Sequence, residues 1–416
     1  MKRISVKLKS MIKFFLYLFS KKRVKLENNS IGKISVSKKD LSVFSLSTNP
    51  IISFKIDGEL FFFRECHKIY KKREFYENSI IRFFDFIELQ KVDKEIFKEK
   101  IPIRVSFLDE EINGFKKYIL NQKNERLFYQ KIVKTDKISD RIGFNIWKTQ
   151  IYNDAFFTQF GMGDLPSEYF DIAVLFLWHM RSSFLNYRTR KISVWNGYSF
   201  FSAGKAIASK IVAEELGVAH MIVDAKPVYL SLSGNVQLFG VLTPKAQGYR
   251  ARDLQISASS SLQKELHDLY LLDKICFQTD HGPDNYNIYG DDQMYYVTAF
   301  DNDNQYTFSP ITNIKAGIGG KGCILFPIIS SDIFEGIKKV NFDILRERLM
   351  PYLNRIQIYA LIYRIKGVQR AMLRSQEKGE LTILKNNDWS EYVIQRELNG
   401  EFGETYLTNL MKVIDK

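Results

Sequence analysis

Asp280, Asn285 and Asp301 fall in one stretch, "FQTDHGPDNYNIYGDDQMYYVTAFDND", residues 277–303. Carboxylates and an amide carbonyl are hard oxygen donors of the kind magnesium takes. Transfer of a phosphoryl group needs such an ion to neutralise phosphate charge, and a carboxylate to orient the attacking hydroxyl and accept its proton. In that chemistry Asp280 is the expected base, with Asn285 and Asp301 as metal ligands. An acidic surface turn or a calcium loop would use the same residue types. The segment from Asp301, "DNDNQYTFSPIT", lacks the glycine and glutamate that an EF-hand loop places at its sixth and twelfth positions.

Elements on either side must hold these groups. Between them lie a short polar loop and two stretches that read as the strands of a hairpin. Before them "SASSSLQKELHDLYLLDKIC" reads as a helix, and "HMIVDAKPVYLSLSGNVQLFGVLTP" as two strands turning at Ser-Gly-Asn. Earlier still, "SAGKAIASKIVAEELGV" reads as a helix stopped by Gly217, after a short strand and glycine turn in "KISVWNGYSFF". On the far side, Ile358, Leu361, Ile362, Ile365 and Val368 recur at helical spacing and predict a core face.

"DHGPDNYNI" followed by "AFDND" resembles the catalytic and metal-binding loops of the protein-kinase-like superfamily. The similarity is to its atypical branch, which holds the phosphatidylinositol 3/4-kinases and related secretory-pathway kinases. The matching residues are Asp280, Asp284, Asn285 and Tyr286, then Phe300, Asp301 and Asn302. The resemblance spans about residues 190 to 370. It implies an α+β, bilobal kinase-like fold, with a small β-rich lobe carrying one main helix and a larger, mostly helical lobe. It further implies ATP with Mg2+ or Mn2+, and a hydroxyl-bearing protein or phosphoinositide-type lipid as acceptor. A pseudokinase or a nucleotidyl transferase would use the same fold.

In that family a glutamate of the small-lobe helix pairs with a strand lysine that grips nucleotide phosphates. Glu215 falls near the middle of the arc formed by Ile207, Ile211, Val212 and Leu216, and is the expected glutamate. The strand before the helix has no lysine after its turn, which leaves Lys205 and Lys226 as candidates, Lys205 ahead. By order along the chain, backbone groups around Val241 and Leu242 are expected to read the adenine edge, in a linker within "FGVLTPKAQG". His281, where an arginine commonly stands in phosphatidylinositol kinases, is expected as a turn histidine facing water, with contact to phosphate or substrate as the alternative.

The implied division is 1–50, a basic amphipathic lead-in and linker; 51–190, an α/β extension without assigned role; 191–247, the small lobe; and 248–416, the large lobe, with a seam near Leu242 to Gly248. At 416 residues, 45% apolar and 14% aromatic, the chain has ample material for two or three packed units. Three cysteines without paired spacing exclude a disulfide framework and a Cys-rich zinc site, and suit a reducing cytoplasm. The formal net charge of +14 attracts phosphates of any kind. In "MKRISVKLKSMIKFFLYLFSKKRVK" the apolar run is shorter than the roughly 20 residues a membrane span needs. Residues 1–25 are therefore expected to lie, if anywhere, on an anionic membrane face. Nucleic acid is not an expected partner, although a basic RNA- or membrane-binding protein without catalysis is the rival class.

Overall fold

The computed structural model describes residues 31–36, 42–45, 51–68, 83–84, 108–120, 165–173, 175–176, 194–195, 198–199, 203–232, 236–279, 281–291, 294–302, 307–309 and 327–414. Asp280 and residues 1–30 lie outside them. The fold is α+β.

Strands β1 (Gly32–Val36), β2 (Ser42–Ser45), β3 (Ile51–Ile56) and β4 (Glu59–Glu65) form a sheet with β8 (Lys226–Leu232) and β9 (Val236–Pro244), in the order β1-β8-β9-β4-β3-β2. Every pairing is antiparallel except β1 with β8. Between β3 and β4 the chain turns on Asp57 and Gly58, both at positive φ, the geometry of a two-residue hairpin that follows strand twist. The sheet is apolar on both faces. Ile52, Phe54, Phe63, Val228, Leu230 and Leu242 cluster on one side, while Cys66, Phe239 and Val241 join the main core on the other.

Strands from residues 32–65 and 226–244 thus share one sheet, and the division placed between 190 and 191 cuts through it. "KISVWNGYSFF", read as a strand and glycine turn, forms two short strands, β6 (Val194–Trp195) and β7 (Tyr198–Ser199). It pairs with β5 (His67–Lys68) in a separate sheet, so it is not the strand that flanks β9.

Helix α1 (Asp109–Leu120) packs Phe115 among Phe83, Phe84 and Phe176. Helix α2 (Ala203–Glu215) lies on the core face of the large sheet. Its end is a Schellman turn: Gly217 takes φ +76°, its N–H donates to Glu214 O, and Val218 N–H donates to Ala213 O. A 3-10 turn then leads through Ile222 and Val223 to β8.

After β9, β10 (Tyr249–Arg250) pairs with β11 (Tyr286–Asp291), and β11 with β12 (Met294–Ala299), in a three-stranded sheet. Helix α3 (Ser260–Cys276), capped by the Ser259 hydroxyl, packs on β12. The rest is mainly helical: β13 (Ile328–Ser330), α4 (Ser331–Lys339), α5 (Phe342–Leu349), α6 (Arg355–Glu377), β14 (Thr382–Leu384), α7 (Glu391–Leu398) and α8 (Tyr406–Ile414). Asn354 and Gln357 close a reciprocal capping box at the start of α6. The expected arc from Ile358 to Val368 is buried. One apolar cluster runs from Ala203 on α2 to Leu410 on α8, so the core is continuous across the expected seam at Leu242 to Gly248.

Candidate functional site

The β11–β12 ladder runs from Asp291↔Met294 to Tyr286↔Ala299. One step further Phe300 N–H donates to Asn285 O at 3.0 Å. This single bond sets Asn285 against the residue that precedes Asp301, at the closed base of the ribbon. Two expected metal ligands, 16 positions apart in the numbering, are thereby brought to one place. The base is fixed from outside as well: Val223 N–H donates to Ala299 O, and the Asn302 amide donates to the same carbonyl. On the loop before β11, Asn285 N–H donates to Gly282 O, and Arg252 binds Asp284 at 2.7 Å.

Three residues with side chains take left-handed backbone around this base: Phe277, Asp301 and Phe308. Non-glycine residues in that region carry strain, and such strain concentrates at functional sites. Phe277 ends α3, and its turn delivers Gln278 to the centre of the network. The Gln278 amide donates to Asp301 O at 3.2 Å, while its Oε1 accepts from Thr279 N–H and from the Thr307 hydroxyl. Arg364, from the buried face of α6, ties the two ends of this region together: Nε donates to Ile275 O and Nη1 to Ser309 O. Burial pushes its pKa down to about 10.

His281 is buried, not exposed. Its Nδ1 lies 2.8 Å from Asp273 Oδ2, which also accepts from the Tyr406 hydroxyl at 2.7 Å. Gln278 Nε2 stands 3.3 Å from His281 Nε2, a donor facing an acceptor when the ring is neutral. Burial lowers the imidazole pKa, but the Asp273 carboxylate and its hydrogen bond, with Asp301 further off, raise it above the usual value.

The Asp301 carboxylate faces the large sheet and meets Arg64 of β4, with Nη2 to Oδ1 at 3.2 Å. Arg64 was not among the cations expected from the sequence. "SFKIDGELFFFRE" reads as strand, but sits in the segment assigned to an extension, and nothing local marks its arginine for this site. The pairing of β4 with β9 brings it there: Arg64 stands opposite Val241, and directly opposed residues share a face.

The expected nucleotide-binding residues are distributed differently. Glu215 pairs with Arg348 of α5 at 2.6 Å, and Glu214 binds the same guanidinium. The glutamate therefore ties α2 to α5, because it stands on the last turn, where α5 packs. Lys205 is buried on α2, and burial pushes its pKa down to about 8. Lys226 is exposed at the start of β8. Val241 and Leu242 lie within β9, between β4 and β8, so their backbone groups belong to ladders and not to a linker. Among the described residues no group of three His, Cys, Asp or Glu side chains converges as a metal site. Asp301 and Asn285 carry oxygen donors of the type magnesium takes, an ion that commonly binds one or two protein oxygens and completes its shell from phosphate and water. Among the described residues no helix is long and apolar enough to cross a membrane.

No protein-family model matches the chain, and no curated protein matches it. Among solved structures the chain is similar to the Toxoplasma gondii kinase Ron13, in its kinase-dead mutant, at 13% identity and a TM-score of 0.22. That match covers 65% of this chain and 29% of the kinase.

Proposed function

We propose that this chain is an atypical kinase-like phosphotransferase that moves the γ-phosphoryl group of ATP, with Mg2+ or Mn2+, to a hydroxyl of a protein, peptide or phosphoinositide-type lipid. The observation that carries the reading is the closed base of the β11–β12 ribbon, which holds Asn285 beside the residue before Asp301. Bound there, the metal would neutralise charge on the transferring phosphate. Asp301 and Asn285 supply its protein oxygens. Asp280 orients the acceptor hydroxyl and takes its proton as the oxygen attacks. Of its two chain neighbours, Thr279 N–H is bonded to Gln278 Oε1 and His281 is anchored on Asp273.

A specific observation favours a second reading, a nucleotide-binding module without turnover. Glu215 is engaged by Arg348 of α5, the place the kinase-like reading gives to a strand lysine.

Thermal unfolding of the full chain, titrated with ATP with and without Mg2+ or Mn2+, tests the site directly. A ligand at a hundredfold its dissociation constant adds about 2.7 kcal/mol of stability. Asp301→Ala is expected to abolish the metal-dependent shift. It should cost less than about 1 kcal/mol of stability itself, because the carboxylate is 48% exposed and its pair with Arg64 is a partly screened one. Asp280→Ala is expected to retain the shift and lose turnover. Equal loss of both in that variant would remove Asp280 as the base. A wild-type shift with no phosphorylated or adenylylated product would leave the module without turnover, and the product formed separates kinase from nucleotidyl transferase.

A further inference from the structure

The cation that meets Asp301 comes from β4 of the large sheet, not from α2 or β8. Arg64 stands on β4 with its side chain largely buried and its guanidinium at the half-exposed carboxylate. At 3.2 Å through one nitrogen, the contact is longer than the usual 2.7–2.9 Å for a charge-assisted N–H···O bond. A guanidinium presents a planar fork that matches two phosphate oxygens, and phosphate competes well with carboxylate for it. The backbone beneath is pinned. Next to the Arg64↔Val241 pair, Gly240 stands opposite Glu65, and a Cβ there would fall 2.3 Å from Arg64 O. Any side chain at 240 would push β4 off β9 where Arg64 emerges.

We propose that Arg64 is the phosphate-gripping cation of this site, exchanging its Asp301 partner for phosphate oxygens while Asp301 turns to the metal. The inference rests on the kinase-like reading above and assigns to β4 a role the sequence placed on Lys205 or Lys226. Its chemistry is binding: no covalent bond forms, and the two charges of the Arg64–Asp301 pair separate onto opposite charges of a metal–polyphosphate. Lys226 starts β8 opposite Leu242, on the other face of the sheet from Arg64, and Lys205, on the same side as Arg64, is buried on α2.

Binding of Mg·ATP and of adenosine to the full chain, measured by calorimetry, tests this. Arg64→Ala is expected to weaken Mg·ATP by about tenfold or more, the loss of a charge-assisted bond. Adenosine binding should be unchanged, and Arg64→Lys should recover part of the loss. A second arm uses ATP in EDTA. Asp301→Asn, which removes the competing carboxylate, should bind metal-free ATP more tightly than wild type. The double variant with Arg64→Ala should lose that gain. Mg·ATP binding of Arg64→Ala equal to wild type would overturn the assignment while leaving the kinase-like reading standing. So would an equal loss of adenosine, or a gain that persists in the double variant. Wild-type chain that binds no Mg·ATP would overturn both. Unfolding midpoints without nucleotide establish that each variant is folded, and Arg64→Lys carries the test where alanine does not fold.

Discussion

At His281 two neighbours, one charged and one neutral, decide the protonation state of a group with no access to water. Asp273 holds the imidazole from one side at 2.8 Å, and the Gln278 amide donor, which prefers the neutral ring, faces it from the other. Asp273 prevails, because a carboxylate in contact outweighs an amide dipole at 3.3 Å, and the pKa lies above its usual value. A raised folded pKa means that the stabilising contribution is fully present below the unfolded value of 6.5 and is lost as pH rises through the folded value. His281→Asn should therefore differ most from wild type at mildly acidic pH, by about 3 kcal/mol for breaking a buried ion pair. The gap should narrow as pH rises, which urea denaturation at pH 6 and pH 8.5 would measure. A gap of the same size at both values would mean that His281 is held as a neutral ring. The sequence identified the polar residues around this point by type, since Asp and Asn at a turn are conspicuous. It misjudged His281 because the partner that buries it, Asp273, lies a helix turn and a strained residue away, and neither leaves a local signature.

Helix α2 shows what periodicity reveals and what it leaves open. Its boundaries and Gly217 stop follow from local chemistry, and Ile207, Ile211 and Val212 are buried as their spacing requires. Spacing does not say which neighbour a helix meets. Glu215 was placed correctly on a face, yet its partner is Arg348, supplied by α5. On α6, the arc from Ile358 to Val368 likewise contains Arg364, whose burial becomes intelligible only through the two carbonyls it serves. Lys205 is the most informative probe of α2. Its folded pKa of about 8 lies below the ordinary 10.5, so the folded chain releases this proton first. Stability then rises with pH between these two values, since the unfolded chain binds more protons there. Relative to Lys205→Met, the wild-type chain should gain of the order of 3 kcal/mol across that window. Guanidinium denaturation at pH 7.5 and pH 10.5, taken as the difference between the two proteins, cancels the exposed lysines and tyrosines that titrate in both. A constant difference would place Lys205 in contact with solvent or with a fixed negative charge.

Over the whole molecule the large sheet joins what the sequence divided. Local signals marked β8 and β9 as a hairpin and β3 and β4 as strands, but strand order is decided by long-range pairing that no window of residues contains. β9 meets β4 across a sequence gap that includes α1 and α2, while β8 meets β1 in parallel. A chain cut at residue 191 keeps β8 and β9 and removes both of their outer neighbours. It would bare the backbone groups of two long edges together with Val228, Leu230 and Leu242, whose apolar partners Ile52, Phe54 and Phe63 go with the deleted strands. Arg64 would go with them, leaving Asp301 without the cation that reaches it from the sheet. Residues 191–416 expressed alone should therefore be insoluble or unfold without a cooperative transition, whereas residues 30–416 should unfold cooperatively, as circular dichroism on heating would report. A soluble, cooperative 191–416 fragment would mean that these residues are self-sufficient and that β1 to β4 are an appended layer. It would also require that nucleotide binding, if retained by the fragment, uses a cation other than Arg64, which ties this test of architecture to the test of the site.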